Sequence, residues 1–269
     1  MPINPRLSVN AMCSYSWTFD QDLALWCDLE IRQAGLLIAK LGDDPASAMT
    51  RLSAAGIRCS TLITESFELR DPGTWENTRA AHRKAIDLVA NEGGHSIYFT
   101  PGRTACTSWA EDLNLLAEAV APTVAYAGER GVLAAIEPSI RTSVSFVTTL
   151  RDAIDVAERN GLRIVADFGN IWMERDFGET LQRAMPHVAL VQICDVIIGA
   201  TGRPSPGGKA HIGDGELPLR RMIQDVLDAR YEGVFDLEVV AANLAQGCDE
   251  PALRNGIEAA SELLDSMGI

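Results

Sequence analysis

The chain has 269 residues, 47% of them hydrophobic, with a formal net charge of −14, a pI near 4.7 and a mean hydropathy of +0.04. So acidic a protein lacks the basic surface that displaces counterions from phosphates, which argues against a nucleic-acid partner, and no uncharged apolar run reaches the ~18 residues a membrane span requires. The start, MPINPRLSVN, has neither the basic head nor the apolar stretch of a secretory signal, so the expected location is the cytoplasm.

Short apolar runs alternate with longer amphipathic ones from end to end. In chain order the pattern predicts strand 7–12, helix 20–31, strand 34–39, helix 44–55, strand 57–63, helix 75–91, strand 95–100 and helix 109–129. Strand 132–137, helix 147–159, strand 163–168, helix 176–184, strand 188–193, helix 216–229, strand 234–239 and helix 250–266 complete it. Asp44 before Pro45, Ser108 with Glu111 and, more weakly, Thr74 with Asn77 read as helix caps. Gly56, Gly131, Gly161 and Gly233 stand where helices should end. Eight strand–helix repeats of about 30 residues are the signature of a (β/α)8 barrel. An open doubly wound sheet would carry GxGxxG after its first strand, and SVNAMCSYSW has none. No Pro-, Gly- and Ser-rich linker divides the chain, so the predicted fold is α/β, a single TIM-barrel domain over 1–269.

Period-two alternation sorts the later strands into two faces. Val132, Ala134 and Ile136 oppose Ala135 and Glu137; Ile164, Ala166 and Phe168 oppose Val165 and Asp167. Val191 and Ile193 oppose Leu190 and Gln192; Phe235, Leu237 and Val239 oppose Asp236 and Glu238. Barrel active sites lie at the C-terminal strand ends. Four consecutive strands thus aim an oxygen-bearing side chain inward near the top: Glu137, Asp167, Gln192 and Glu238. Taken singly, each reads as a hydrogen-bonded core residue. Together, three carboxylates and an amide at matching heights conflict unless a divalent cation sits among them, and an all-oxygen set favours Mn²⁺ or Mg²⁺. The six cysteines, at 13, 27, 59, 106, 194 and 248, form no CxxC pair and read as buried, reduced thiols rather than zinc ligands or disulfides.

With LAAIEP, VADFGN, VQICD, HIGDGELPL and FDLEVV in place, the chain resembles the xylose-isomerase-like TIM barrels, the sugar phosphate isomerases and epimerases, over essentially its whole length. The resemblance implies one divalent metal, Mn²⁺ first with Mg²⁺ and Co²⁺ as alternatives, held by Glu137, Asp167, Gln192 and Glu238. Gln at the third position is most similar to the hydroxypyruvate isomerase-type members. The resemblance further implies isomerisation or epimerisation of a small α-hydroxy carbonyl compound (sugar, keto-sugar or hydroxy-keto acid) through a metal-stabilised enediolate. Glu137 and Glu238 would be its acid/base pair.

The chain departs from the family pattern at two places. Asn170 stands where the family's D-x-x-H has its His; it can bond a substrate hydroxyl or serve as a turn residue, but it cannot shuttle a proton near neutrality. In the stretch 199–219, which resembles the family's R-x-x-P-G-x-G loop, Lys209 takes the Arg position and His211 stands near an expected Pro. Lys209 and His211 are expected at the substrate, and Asp195 is expected to orient a ligand or the lysine from behind. Asn10, Tyr15, Trp17, Lys40, Glu65 and Trp109, at the ends of early strands, are expected to wall the site. Asp236 in the interior needs a partner the sequence does not name.

Two readings compete with the isomerase. A metal-dependent lyase or dehydratase acting on a keto-polyol or keto-glycoside would use the same site, and a non-catalytic binding protein would use the same fold. An endonuclease with several zinc ions would need more than the four histidines present. A small-molecule partner is expected; homo-oligomer formation is left open.

Overall fold

The computed structural model of the chain describes residues 2–105, 108–198, 208–240 and 248–269. Eight parallel strands close on themselves: β1 (Leu7–Asn10), β2 (Gln33–Leu37), β3 (Arg58–Ile63), β4 (Ser96–Phe99), β5 (Leu133–Ile136), β6 (Arg163–Asp167), β7 (Val188–Ile193) and β10 (Phe235–Leu237), with β10 beside β1. The intervening β8 (Asp195–Val196) and β9 (Lys209–Ala210) form a separate antiparallel ladder above the mouth. Helices α1 (Phe19–Asp28), α2 (Pro45–Ala54), α3 (Trp75–Asn91), α4 (Trp109–Glu129), α5 (Leu150–Asn160), α7 (Phe177–Ala184), α8 (Leu219–Asp228) and α9 (Glu250–Asp265) follow the strands, and a short α6 (Phe168–Ile171) sits directly after β6. The fold is a single (β/α)8 TIM barrel. Among the described residues no helix is long and apolar enough to cross a membrane.

Alternation along each strand builds two cores. Ile136, Ile164, Ala166, Val191, Ile193, Phe235 and Leu237 face outward into the main cluster under the helices, whereas Tyr98, Ala135, Val165, Ala189 and Leu190 form a small cluster of their own inside the barrel. Buried Ser8, Ser60 and Ser96 also lie in the interior, hydrogen-bonded among themselves and their strands.

Side-chain hydrogen bonds move several boundaries from their predicted places. β1 ends at Asn10 rather than 12, because the Asn10 side chain accepts from the Met12 amide and starts a 3₁₀ turn over Ala11–Ser14. β6 ends at Asp167 rather than 168, because Asp167 caps α6 by accepting from the Gly169 amide at 3.0 Å. Thr149 caps α5, which starts at 150 rather than 147. Ser108 and Asp44 cap as predicted, but Thr74 makes no side-chain cap bond. The reading of all cysteines as buried needs correction: Cys27 is exposed and Cys248 half-buried, while Cys13, Cys59 and Cys194 are buried. All five are unpaired; Cys106 lies outside the described residues.

Candidate functional site

Glu137 directly follows β5, Asp167 ends β6 and Glu238 directly follows β10. All three are buried, and one carboxylate oxygen from each lies within 4.8 Å of the others. Strand register sets their heights: Asp167 stands opposite Gln192, and Gln192 opposite Asp236.

Hydrogen bonds fix these groups. The Asn170 amide nitrogen donates to Glu137 Oε1 at 2.7 Å and to Asp167 Oδ2 at 2.6 Å, while its oxygen accepts from Ser139. Tyr98 OH donates to Glu238 Oε1 at 3.3 Å and accepts from Gln192 Nε2 at 3.2 Å. The Lys209 ammonium bridges Asp167 Oδ2 at 2.7 Å and Glu238 Oε2 at 2.5 Å. Burial first, then the charges of Glu238 and Asp167, push the Glu137 carboxyl well above the usual carboxylate range. Burial works against the Lys209 ammonium, but Asp167 and Glu238 outweigh it and hold its pKa well above the ordinary lysine value.

Asp236, which lacked a partner in the sequence, has three. Its Oδ1 accepts from Ser8 at 2.6 Å, and its Oδ2 accepts from Asn10 at 2.7 Å and Gln192 at 3.0 Å. Burial pushes its pKa up to about 6, against the pull of those bonds. The network also orients Gln192. Both bonds of that side chain use Nε2, so Oε1 is left buried without a hydrogen-bond partner among the described residues. A buried acceptor left open is costly unless something fills it. Three carboxylates plus this amide oxygen make an all-oxygen donor set that fits a hard divalent cation.

A cavity of about 130 Å³ opens over the acids, lined by Met12, Ile63, Thr64, Ser66, Tyr98, Thr100, Glu137, Arg141, Asn170, Lys209, Glu238 and Val240. A larger one, about 590 Å³, lies to the side among Tyr15, Trp17, Lys40, Arg51 and other residues of α1 and α2. It holds no group of three converging acids, so chemistry rather than size locates the site.

The remaining predicted contacts fall elsewhere. Asn10 is fully buried on Asp236 instead of walling the cavity. Tyr15 and Trp17 line the side cavity. Trp109 packs edge-on to Phe146 and is partly exposed. Glu65 is exposed, and its carbonyl bonds the His82 ring. His211 turns toward α9, where the absence of a side chain at Gly256 makes room for it: a Cβ there would sit 2.2 Å from His211 Nδ1. Among the described residues the Asp195 side chain makes no hydrogen bond to the lysine or the acids. It accepts from the amides of Val196, Leu217 and Gly213 at 2.8, 3.0 and 3.2 Å and so ties down the loop after β9. Lys40 is buried in an ion pair with Asp22. Sequence reasoning missed Tyr98 and Arg141; Tyr98 was findable, because it shares the inward face of its strand with Ser96.

The model of the xylose isomerase-like TIM barrel family matches residues 29–267. The chain belongs to that family. Among solved members of the fold, it is similar to protein SMc04130 of Sinorhizobium meliloti 1021, at 19% identity over 96% of this chain and 98% of that one, with a TM-score of 0.84. It is also similar to the IolI protein with a bound zinc atom, at 16% identity over 96% of each chain and a TM-score of 0.80. The 3-keto-D-glucoside 4-epimerase YcjR of E. coli gives 14% identity over 97% and 99%, with a TM-score of 0.77. At such identities the likeness establishes the fold. No curated protein matches the sequence.

Proposed function

We propose that this family member is a divalent-metal-dependent isomerase or epimerase of a small α-hydroxy carbonyl compound: a sugar, keto-sugar or hydroxy-keto acid. The observation that carries the reading is the convergence of three buried carboxylates at the C-terminal mouth; Gln192, in register with Asp167, adds a buried oxygen without a partner among the described residues. A divalent cation held by Glu137, Asp167, Gln192 and Glu238, with Mn²⁺ first and Mg²⁺ or Co²⁺ as alternatives, would supply Lewis-acid polarisation of the substrate carbonyl.

The chain's own residues do the rest. Glu137 and Glu238 both line the cavity, so one can take the proton beside the carbonyl and the other return it. Asn170 holds Glu137 and Asp167 in place. The hydroxyls of Thr64, Ser66 and Thr100, with Arg141 at the rim, suit the oxygens of a polyhydroxy substrate. Likeness to the zinc-bound IolI protein and to the keto-glucoside epimerase supports both the metal and the reaction class.

The test is solvent proton exchange. Mn²⁺-loaded protein in deuterated water, given a panel of keto-sugars and hydroxy-keto acids, is expected to place deuterium on the carbon beside the carbonyl of at least one. Glu238→Gln is expected to stop it. An unsaturated, ultraviolet-absorbing product would assign elimination instead. Failure to retain metal, with no exchange across the panel, would sink the reading.

A further inference from the structure

The chain contains 20 arginines but only three lysines, Lys40, Lys84 and Lys209. One of those three stands inside the acid cluster. The Lys209 side chain is only 7% exposed, and its seat is built from several parts. Its aliphatic stem runs over Gly169, where an added Cβ would lie 2.7 Å from Cε and 3.0 Å from Cγ. Its backbone is held by the β8–β9 ladder, with Lys209 opposite Val196, and by the bond from the Ile197 amide to the Gly208 carbonyl. Asp195 secures the loop that follows.

We propose that Lys209 is a built-in counter-cation of the acid cluster, which a divalent cation must displace in order to bind. The inference rests on the reading of Glu137, Asp167, Gln192 and Glu238 as a metal site. It follows from reach. The ammonium nitrogen is 2.7 and 2.5 Å from Asp167 Oδ2 and Glu238 Oε2. A cation held at about 2.1 Å from the same oxygens lies no more than about 5 Å from that nitrogen. Like charges so close in a buried pocket repel strongly, and the lysine and the cation draw on the same two carboxylates. The docked lysine therefore lowers apparent metal affinity by the fraction of time it is seated: docking for ~90% of the time costs a factor of ten. The same displacement releases an ammonium at the edge of the substrate cavity.

Two measurements on the full-length protein test this, with Mn²⁺ as the probe. Titration calorimetry on the wild type and Lys209→Met is expected to show binding on the order of tenfold or more tighter in the variant. Acetylation of lysines, read residue by residue by mass spectrometry, is expected to find Lys209 protected without metal and reactive with it. Exposed Lys84 and buried Lys40 serve as unchanging references. Equal affinities, or a Lys209 that stays protected at saturating Mn²⁺, would overturn the displacement and leave the metal-site reading intact. No binding by either protein would overturn both.

Discussion

Two buried lysines stand at the mouth of this barrel, and their surroundings differ in kind. Lys40 has one acid, Asp22 at 2.6 Å, and also donates to the carbonyls of Ala11 and Ser14 at 3.1 and 2.8 Å and to the Ser14 hydroxyl at 3.3 Å. Burial prevails over that single attraction on both sides: the Lys40 pKa is lowered and the Asp22 carboxyl is pushed up to about 6. Lys209 has two acids within 2.7 Å and a third nearby, and their attraction prevails over burial. The first pair is closed, one charge against one, and it fastens the turn after β2 to α1, with the bonds to Ala11 and Ser14 adding the turn after β1. The second has an excess of negative charge and an open amide oxygen. Charge balance separates the closed ion pair from the acid cluster proposed as a metal site, since the two lysine side chains are about equally buried.

The largest effect that would sharpen the contrast is chemical. Asp167→Asn and Glu238→Gln should lose retained Mn²⁺, by elemental analysis after desalting, and cut proton exchange on the order of 10²–10⁴-fold. Next comes stability. Lys40→Met strands Asp22 and should cost about 3–5 kcal/mol in denaturant unfolding, whereas Asp22→Leu combined with Lys40→Met should recover most of that loss. Mn²⁺ affinity should be unchanged in the double variant; a change there would break the distinction between the two lysines.

His82 measures burial with no charged partner. Burial lowers its pKa to about 4, against the bond to the Glu65 carbonyl. Its folded pKa is thus below the unfolded value of about 6.5, so its contribution is full above pH 6.5 and is lost as pH falls towards 4. The loss should approach roughly 3 kcal/mol, and His82→Gln should flatten the pH dependence of urea midpoints across that window. Smallest is Asp195→Asn, which weakens the acceptor of three amides. It should cost about 1–2 kcal/mol and speed amide hydrogen exchange over residues 208–217.

The barrel was legible because its signals are periodic. Alternation in β5, β6, β7 and β10 separates Ala135, Val165 and Leu190 from Ile136, Ile164 and Val191, and the structure divides its two cores along that line. What lay beyond strand ends was not legible. Tyr15 and Trp109 were expected at the cavity because they follow strands in sequence, and His211 because its loop resembles the one that covers the substrate in the family. A 3₁₀ turn after β1 and the loop after β9 carry Tyr15 and His211 elsewhere, and nothing periodic announces such turns. Lys209 reaches the acids through a two-residue ladder that no hydrophobic pattern marks. The partners of Asp236 come from β1 and β7, so they exist only once the barrel has closed.

That closure bears on how the protein is made. The bond from Ser8 to Asp236 joins residues 228 positions apart, and β10, which carries Asp236 and leads to Glu238, is the last of the described barrel strands in chain order. Until it arrives, Gln192 has no carboxylate to set its amide, and Glu137 and Asp167 lack the third acid of their cluster. Pairings this distant in sequence form slowly. Without that pairing the proposed metal site is incomplete, so binding of Mn²⁺ there would report the closed barrel rather than a partly paired sheet.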